Sequence, residues 1–346
     1  MRKLIPILLI LVIITSSCQP SKKEKQIEKT RFNYVDYNTL IYQAERFILD
    51  SNYTSALDKY NEAFSIVDKP LAKHCFTAIQ VSAKVDDEEA FKRFSIKGFE
   101  RGLLIKYYKQ DTVISRYSRE KKLNTTIEQS FEEANKLYNA SINKFLADTL
   151  IALQDWDQKW KKYYVDSLSR VDIENSKFYH QKYDSIVGTI VEDYLIPVIK
   201  EYGYPGERLV GAEAVGYGEN DSYRRSYVNN SAKIILLHYY ADPRTCVYNE
   251  LFLSEVKKGN LLPEHYASII DFQAKYGNGE HCKVDYYNEW FYDPDTTNIN
   301  QINNKRMEIG LSPFQDRIEK MKRGQDKCKS IRRGDYNFVK LFEWCG

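Results

Sequence analysis

The sequence predicts a mainly α protein in which N-terminal helical-hairpin repeats pack against a C-terminal α-helical domain. Three observations predict it. Small and aromatic residues recur at a 34-residue spacing between residues 37 and 97. An aromatic stripe at Trp156, Trp160 and Tyr164 has helical spacing. In the second half, apolar helical segments alternate with Gly- and Pro-containing breaks.

Residues 37–70 carry Leu40, Ala44, Phe47, Tyr53, Ala56, Tyr60, Ala63 and Pro70. The alanines let two helices approach closely, and the aromatics fill the groove between them. Thirty-four residues on, Ala44 maps to Ala78, Phe47 to Val81, Ala56 to Ala90 and Tyr60 to Phe94. Lys97 replaces the Ala63 type, and Asp87 replaces Tyr53. The pattern resembles the tetratricopeptide repeat; the plain alternative is an antiparallel helix pair that shares the spacing. Two such units cannot bury their own faces. Leu103 to about Tyr117 and Thr126–Leu150 are therefore candidates to close the stack. From Asp148 to Tyr202 the pattern is again helical, with Pro197 kinking or restarting the helix near Leu195.

The chain opens with Met1-Arg2-Lys3, an apolar run Leu4–Ile14 and Thr15-Ser16-Ser17-Cys18. That run suits a signal-peptide core and is too short to span a bilayer. Small residues before a cysteine resemble a lipobox, which implies cleavage after residue 17 and a lipid on Cys18. The alternative is an ordinary signal peptide with a chance cysteine. The expected organisation is a signal peptide 1–17, a flexible tether 18–34, repeats 35–125, connecting helices 126–170, a helical domain 171–322 and a tail 323–346.

Without residues 1–17 the chain has 49 basic and 48 acidic residues. This balance offers no electrostatic footprint for nucleic acid, and it argues against a polybasic membrane-binding surface, leaving membrane attachment to the lipid. The 28 tyrosines need no functional cause beyond base composition. Export permits disulfides. Cys75, inside the repeats, reads as a buried apolar residue. Cys246, Cys282, Cys328 and Cys345 are disulfide candidates, with Cys328–Cys345 closing the tail as the first pair to test. No zinc-type spacing is present, so no metal and no cofactor is expected.

The second half holds Gly203-Tyr204-Pro205, Val210-Gly211, a polar stretch 216–230 read as a surface loop, and an apolar helix Ala232–Tyr240 ending at His238. Helices near 246–258 and Glu264–Lys275 follow, then Tyr276-Gly277 and the block Arg306–Pro313. The order resembles an uncharacterised bacterial domain family with Gly-Trp-Pro, Gln-His-Ala-Asp and Tyr-Gly-Thr-Gln motifs, over roughly 170–322. Tyr204 stands for its Trp. Leu237 and Tyr240 replace the Gln and Asp around His238, Phe272 replaces the Arg after Asp271, and Asn278-Gly279 replaces Thr-Gln. The resemblance implies His238, Asp271 and Tyr276 as weak candidates for a catalytic or ligand site, with His265 and His281 near the same blocks. A lone His on an apolar helix is more often a core residue. No nucleophile motif or phosphate loop is present. Asp293-Pro294-Asp295 falls short of a calcium loop.

These observations lead to two expectations. The first is a non-enzymatic, membrane-anchored lipoprotein of the cell envelope, on a periplasmic or surface face, whose repeats bind a protein or peptide partner. The alternative is a small-ligand-binding or hydrolytic domain in the C-terminal half, using His238, Asp271 and Tyr276. It requires those three side chains to share one pocket.

Overall fold

The structure, a computed structural model, describes residues 33–212, 220–276, 286–289, 297–333 and 336–341, with the side chains of 220–226 excluded. All secondary structure among them is helical. Cys18, Cys282, Cys345, the 1–17 segment and the Asp293–Asp295 stretch lie outside the described residues. None of the described helices is long and apolar enough to cross a membrane.

The first hairpin is α1 (Tyr34–Leu49) and α2 (Tyr53–Ser65); the second is α3 (Ala72–Val85) and α4 (Glu88–Glu100). Side chains fix their starts. Asn33 accepts from the backbone of Val35 and Asp36, Asn52 from Ser55, and Asp87 from Ala90. These caps satisfy amides that a helix leaves without partners. Asp87, the departure from the Tyr53 type, is thus the cap of α4. The recurring positions Ala44, Ala56, Tyr60, Ala63, Ala78, Val81, Ala90 and Phe94 are all buried. Lys97 departs from the Ala63 type, and the close approach is made by the next residue, Gly98. A Cβ at Gly98 would lie 3.0 Å from Leu103 and 3.3 Å from Cys75.

The stack is closed by α5 (Ile105–Gln110), α6 (Thr112–Glu120) and α7 (Asn124–Ser141). Phe99 of α4 meets Phe131 of α7 edge to face at 5.2 Å. Ile127 and Ala134 of α7 join the first core. The second core begins at Leu146, in α8 (Lys144–Lys161). The segment expected to connect, 126–170, therefore divides between the two cores near Ile142.

From α8 the chain passes through a π-helical turn, Lys162–Leu168, into a short α9 (Ser169–Val171). It returns along α10 (Ser176–Thr189), a second π-helical turn Ile190–Leu195, and α11 (Ile196–Tyr202). Pro197 is the second residue of α11, directly after the π-helical turn, so the break in the helical ladder falls where proline supplies no N–H. Next come α12 (Glu207–Val210), α13 (Asn220–Tyr239), α14 (Asn249–Lys257) and α15 (Pro263–Tyr276). The chain ends in α16 (Ile299–Glu308), α17 (Phe314–Gln325) and α18 (Cys328–Arg333).

The stretch 216–230, expected as a loop, is helical from Asn220. Its polar residues are used by the fold: Asn229 donates to the Gly211 carbonyl at 2.8 Å, and Tyr227 donates to Asp155 at 2.7 Å. Composition alone could not separate satisfied polar groups from solvated ones. Trp156, Trp160 and Tyr164 pack against the second core.

Charged side chains join the halves across α3. The amide of Ala72 donates to Glu207 at 2.6 Å, and Lys73 pairs with Glu264 at 2.7 Å. An acidic side chain at a helix N-terminus is favourable for both its hydrogen bond and its charge.

Candidate functional site: the face of the helical stack held by the C-terminal segment

The C-terminal segment returns across the first helix of each repeat. On α1, Tyr42 donates to Asp316 at 2.6 Å, Arg46 pairs with Glu319, and Glu45 pairs with Lys320 at 2.9 Å. Arg323 caps the carbonyl of Leu49 at 2.6 Å. On α3, Lys340 Nζ lies 6.0 Å from the Phe76 ring. The Lys340 amide donates to Gln80 Oε1 at 2.8 Å, and Lys84 donates to the Asn337 carbonyl at 2.5 Å.

The register is informative. Tyr42 and Phe76 are 34 residues apart, as are Arg46 and Gln80. The same two positions of each repeat, one helical turn apart, grip successive parts of the segment. α1 holds a helix, α17, through partly exposed charges. α3 holds non-helical backbone between residues 336 and 341, with a bend at Phe338.

Gln80 is fully buried and serves both sides. Its amide nitrogen donates to Asp111 Oδ2 at 2.7 Å while its oxygen accepts from the tail. Asp111 caps α6 through Oδ1 and also accepts from the Tyr336 hydroxyl. Burial pushes the Asp111 carboxyl above its ordinary pKa, opposed by the bonds from Tyr336 and Ile114 and by Lys340. Burial lowers Lys340 to about 8, with Asp111 opposing. Val339 and Leu341 enter the first core. A buried side-chain amide that pairs with a neighbour's backbone reads main chain, while adjacent apolar seats read side chains.

Below this face, Tyr37 donates to His74 Nδ1 at 2.7 Å and accepts from the Leu71 amide at 3.1 Å. Burial holds His74 far below its usual pKa, as a neutral imidazole accepting at Nδ1 requires.

The three candidates implied by the family resemblance have separate surroundings. His238 Nδ1 lies 2.7 Å from Asp157 Oδ2, and Tyr183 donates to the other oxygen of Asp157 at 2.6 Å. This carboxylate orients the imidazole, as in an acid–base pair. Asp157 is fully buried, on the apolar stripe Leu146, Leu150, Leu153 of α8. Asp271 instead accepts from the amides of Tyr287 and Glu289 at 2.6 and 2.5 Å. Beside it, buried Arg306 pairs with Glu289 at 3.0 Å and donates to the carbonyls of Ser312 and Tyr287 at 2.6 Å each. Arg317 pairs with Glu289 as well. Tyr276 is exposed at the end of α15. A cavity of about 600 Å³ between α14, α15 and α16 is lined by Asn249, Glu250, Lys257, Tyr287, Lys305 and Glu308, among others, and by none of the three candidates.

The Gly203-Tyr204-Pro205-Gly206 turn is held by buried Glu255, which accepts from the Tyr204 amide and from Asn260, both at 2.8 Å. A Cβ at Gly206 would sit 2.2 Å from the Asn260 carbonyl, so only glycine fits. The structure thus gives the blocks at 203–206, 271 and 306–313 bonding partners within the fold. His265 is buried, and burial lowers it to about 3. Cys75 is a buried free thiol, whereas Cys246 and Cys328 are disulfide-bonded. Among the described residues, no group of three or more His, Cys, Asp or Glu could hold a metal ion.

No protein-family model, curated protein or solved structure matches this chain.

Proposed function

We propose that this protein is a membrane-anchored, non-enzymatic interaction module of the cell envelope. Its tetratricopeptide-like stack would bind an extended peptide on the face of α1 and α3. The observation that carries this reading is the 34-residue register, in which equivalent positions of the two repeats grip successive parts of one segment. In the isolated chain that segment is its own residues 314–341. A partner peptide would compete for the same side chains, first at the partly exposed charges of α1 and at Lys84. Lipid on Cys18 and the polar residues after it would hold the body near the membrane.

Two measurements test this. Cys18→Ala should release the protein from membranes without unfolding it; a variant that still pellets after a high-salt wash contradicts the anchor. Full-length protein, crosslinked and extracted in detergent, should carry a partner whose yield changes in Arg46→Ala and Lys84→Ala. A chain that stays monomeric and partnerless overturns the interaction reading.

A further inference from the structure

Past Asp157 of α8 and before Tyr183 of α10 the chain forms a two-helix arm that is thinly buried, with Trp160, Tyr164 and Val165 at its base against the second core. Between residues 158 and 182 only Ser169 is buried. What fills this arm is a set of aromatic rings packed on one another. Trp160 stacks on Tyr164 at 5.6 Å, and Tyr164 stacks on Tyr179 at 6.4 Å. Lys159 lies over Trp160 at 5.1 Å, and Lys182 over Phe178 at 5.2 Å.

The turn at the apex is pre-formed. Asp172 accepts from Tyr179 at 2.8 Å and from Asn175 at 3.0 Å. On either side of it, Val171 and Ile173 are 81% and 79% exposed. Such exposure of two aliphatic side chains at the end of an ordered projection asks for an apolar neighbour. Between residues 158 and 182 the arm carries Lys159, Lys161, Lys162, Arg170, Lys177 and Lys182 against Asp166, Asp172 and Glu174. That excess alone equals the formal net charge of the whole chain, +3.

We propose that this projection is a lipid-docking element that places Val171 and Ile173 into the interface of an anionic bilayer. The layering fits that medium. Aliphatic residues form the apex; Tyr163, Phe178 and Tyr179 lie behind it, and Arg170 and Lys177 flank it, close enough for their stems to reach headgroups. Each cation near an anionic surface contributes about 1 kcal/mol. A convex apex offers a protein partner little area, whereas a bilayer closes over it.

The proposal adds a second contact to the anchor at Cys18, and reach permits both. The arm from Gln158 to Val171 is about 21 Å long at helical rise. Residues 19–32 can extend to about 50 Å. The second contact does not depend on the peptide-binding reading.

The test uses the chain from residue 18 with Cys18→Ala, so that no lipid on that residue contributes to vesicle binding. Flotation is measured with phosphatidylcholine vesicles with and without phosphatidylglycerol. The expected result is binding to the anionic vesicles, weakened by salt and at least about tenfold lower in the Val171→Asp, Ile173→Asp double variant. Arg170→Glu with Lys177→Glu should lower it as well. Thermal melting checks that the variants fold. Absence of vesicle binding overturns the proposal, as does binding indifferent to the apical substitutions. So does a photo-crosslinker at position 173 that captures protein rather than lipid in cells. Any of these outcomes leaves the Cys18 anchor, tested separately, standing.

Discussion

The seat of the C-terminal segment and the projecting arm are built from the same kinds of residue, with opposite results. Both are rich in tyrosine, lysine and aliphatic side chains. At the seat, Tyr336, Val339, Lys340 and Leu341 are buried, and Gln80 and Asp111 bond the backbone and hydroxyl that come with them. On the arm, the rings stack on each other and the aliphatic residues of the apex stand in solvent. Burial in one place is made affordable by complete hydrogen bonding; exposure in the other marks a surface lacking its apolar partner.

The largest expected effect is at the base of the C-terminal segment. Arg306→Ala leaves Glu289 without one of its two paired guanidinium groups and strips a donor from the Ser312 and Tyr287 carbonyls. It should destabilise by about 3–5 kcal/mol in urea titration. A loss under about 1 kcal/mol would mean that the segment is not anchored there. Gln80→Ala orphans the Lys340 amide and removes one bond of Asp111, for about 2–4 kcal/mol of stability. Limited proteolysis should then cut near residue 336 well before the stack unfolds. If both ends unfold together, the tail belongs to the core and not to a separable occupant.

Acidity supplies a finer probe. Lys340 has a lowered pKa in the fold, so the unfolded chain binds more protons above about 8. The tail should therefore hold more tightly as pH rises, by about 1 kcal/mol between pH 8 and 9. Cys75, raised by burial, begins to oppose this near its ordinary value of 9.0. The Lys340 contribution is thus read as the difference from Lys340→Met; equal slopes in the two proteins would refute it. On the acid side, burial of His74 and His265 predicts that stability falls as pH drops below about 6.5. The smallest effect belongs to the arm. Val171→Asp and Ile173→Asp should change stability by no more than about 0.5 kcal/mol each. Val339→Asp, at a fully buried position of the seat, should cost several times more.

Much of the helical framework was legible in the residues. Ala44, Ala56, Ala78 and Ala90 reported close helix contacts through their spacing, and Trp156, Trp160 and Tyr164 reported a core-facing stripe. The seat was not legible. Gln80 and Lys340 are 260 residues apart, and Tyr42 and Asp316 are 274 apart. Local periodicity carries no signal of such pairings. Asp157 was missed, yet it left one: an acid at the next step of the Leu146, Leu150, Leu153 stripe implies a buried carboxylate in need of donors. Asp271 was noticed as an acid, but its backbone partners 16 and 18 residues on were beyond any pattern in the sequence.

The central claim is that the face of α1 and α3 binds peptide, and that residues 314–341 occupy it in cis. The most direct measurement places a photo-crosslinking amino acid at position 84, beside Asn337, in the full-length chain in cells. The account predicts two products: an internal link to the 336–341 stretch, and an adduct with another protein that grows when Gln80→Ala loosens the tail. An internal link alone, unchanged by Gln80→Ala, would contradict it.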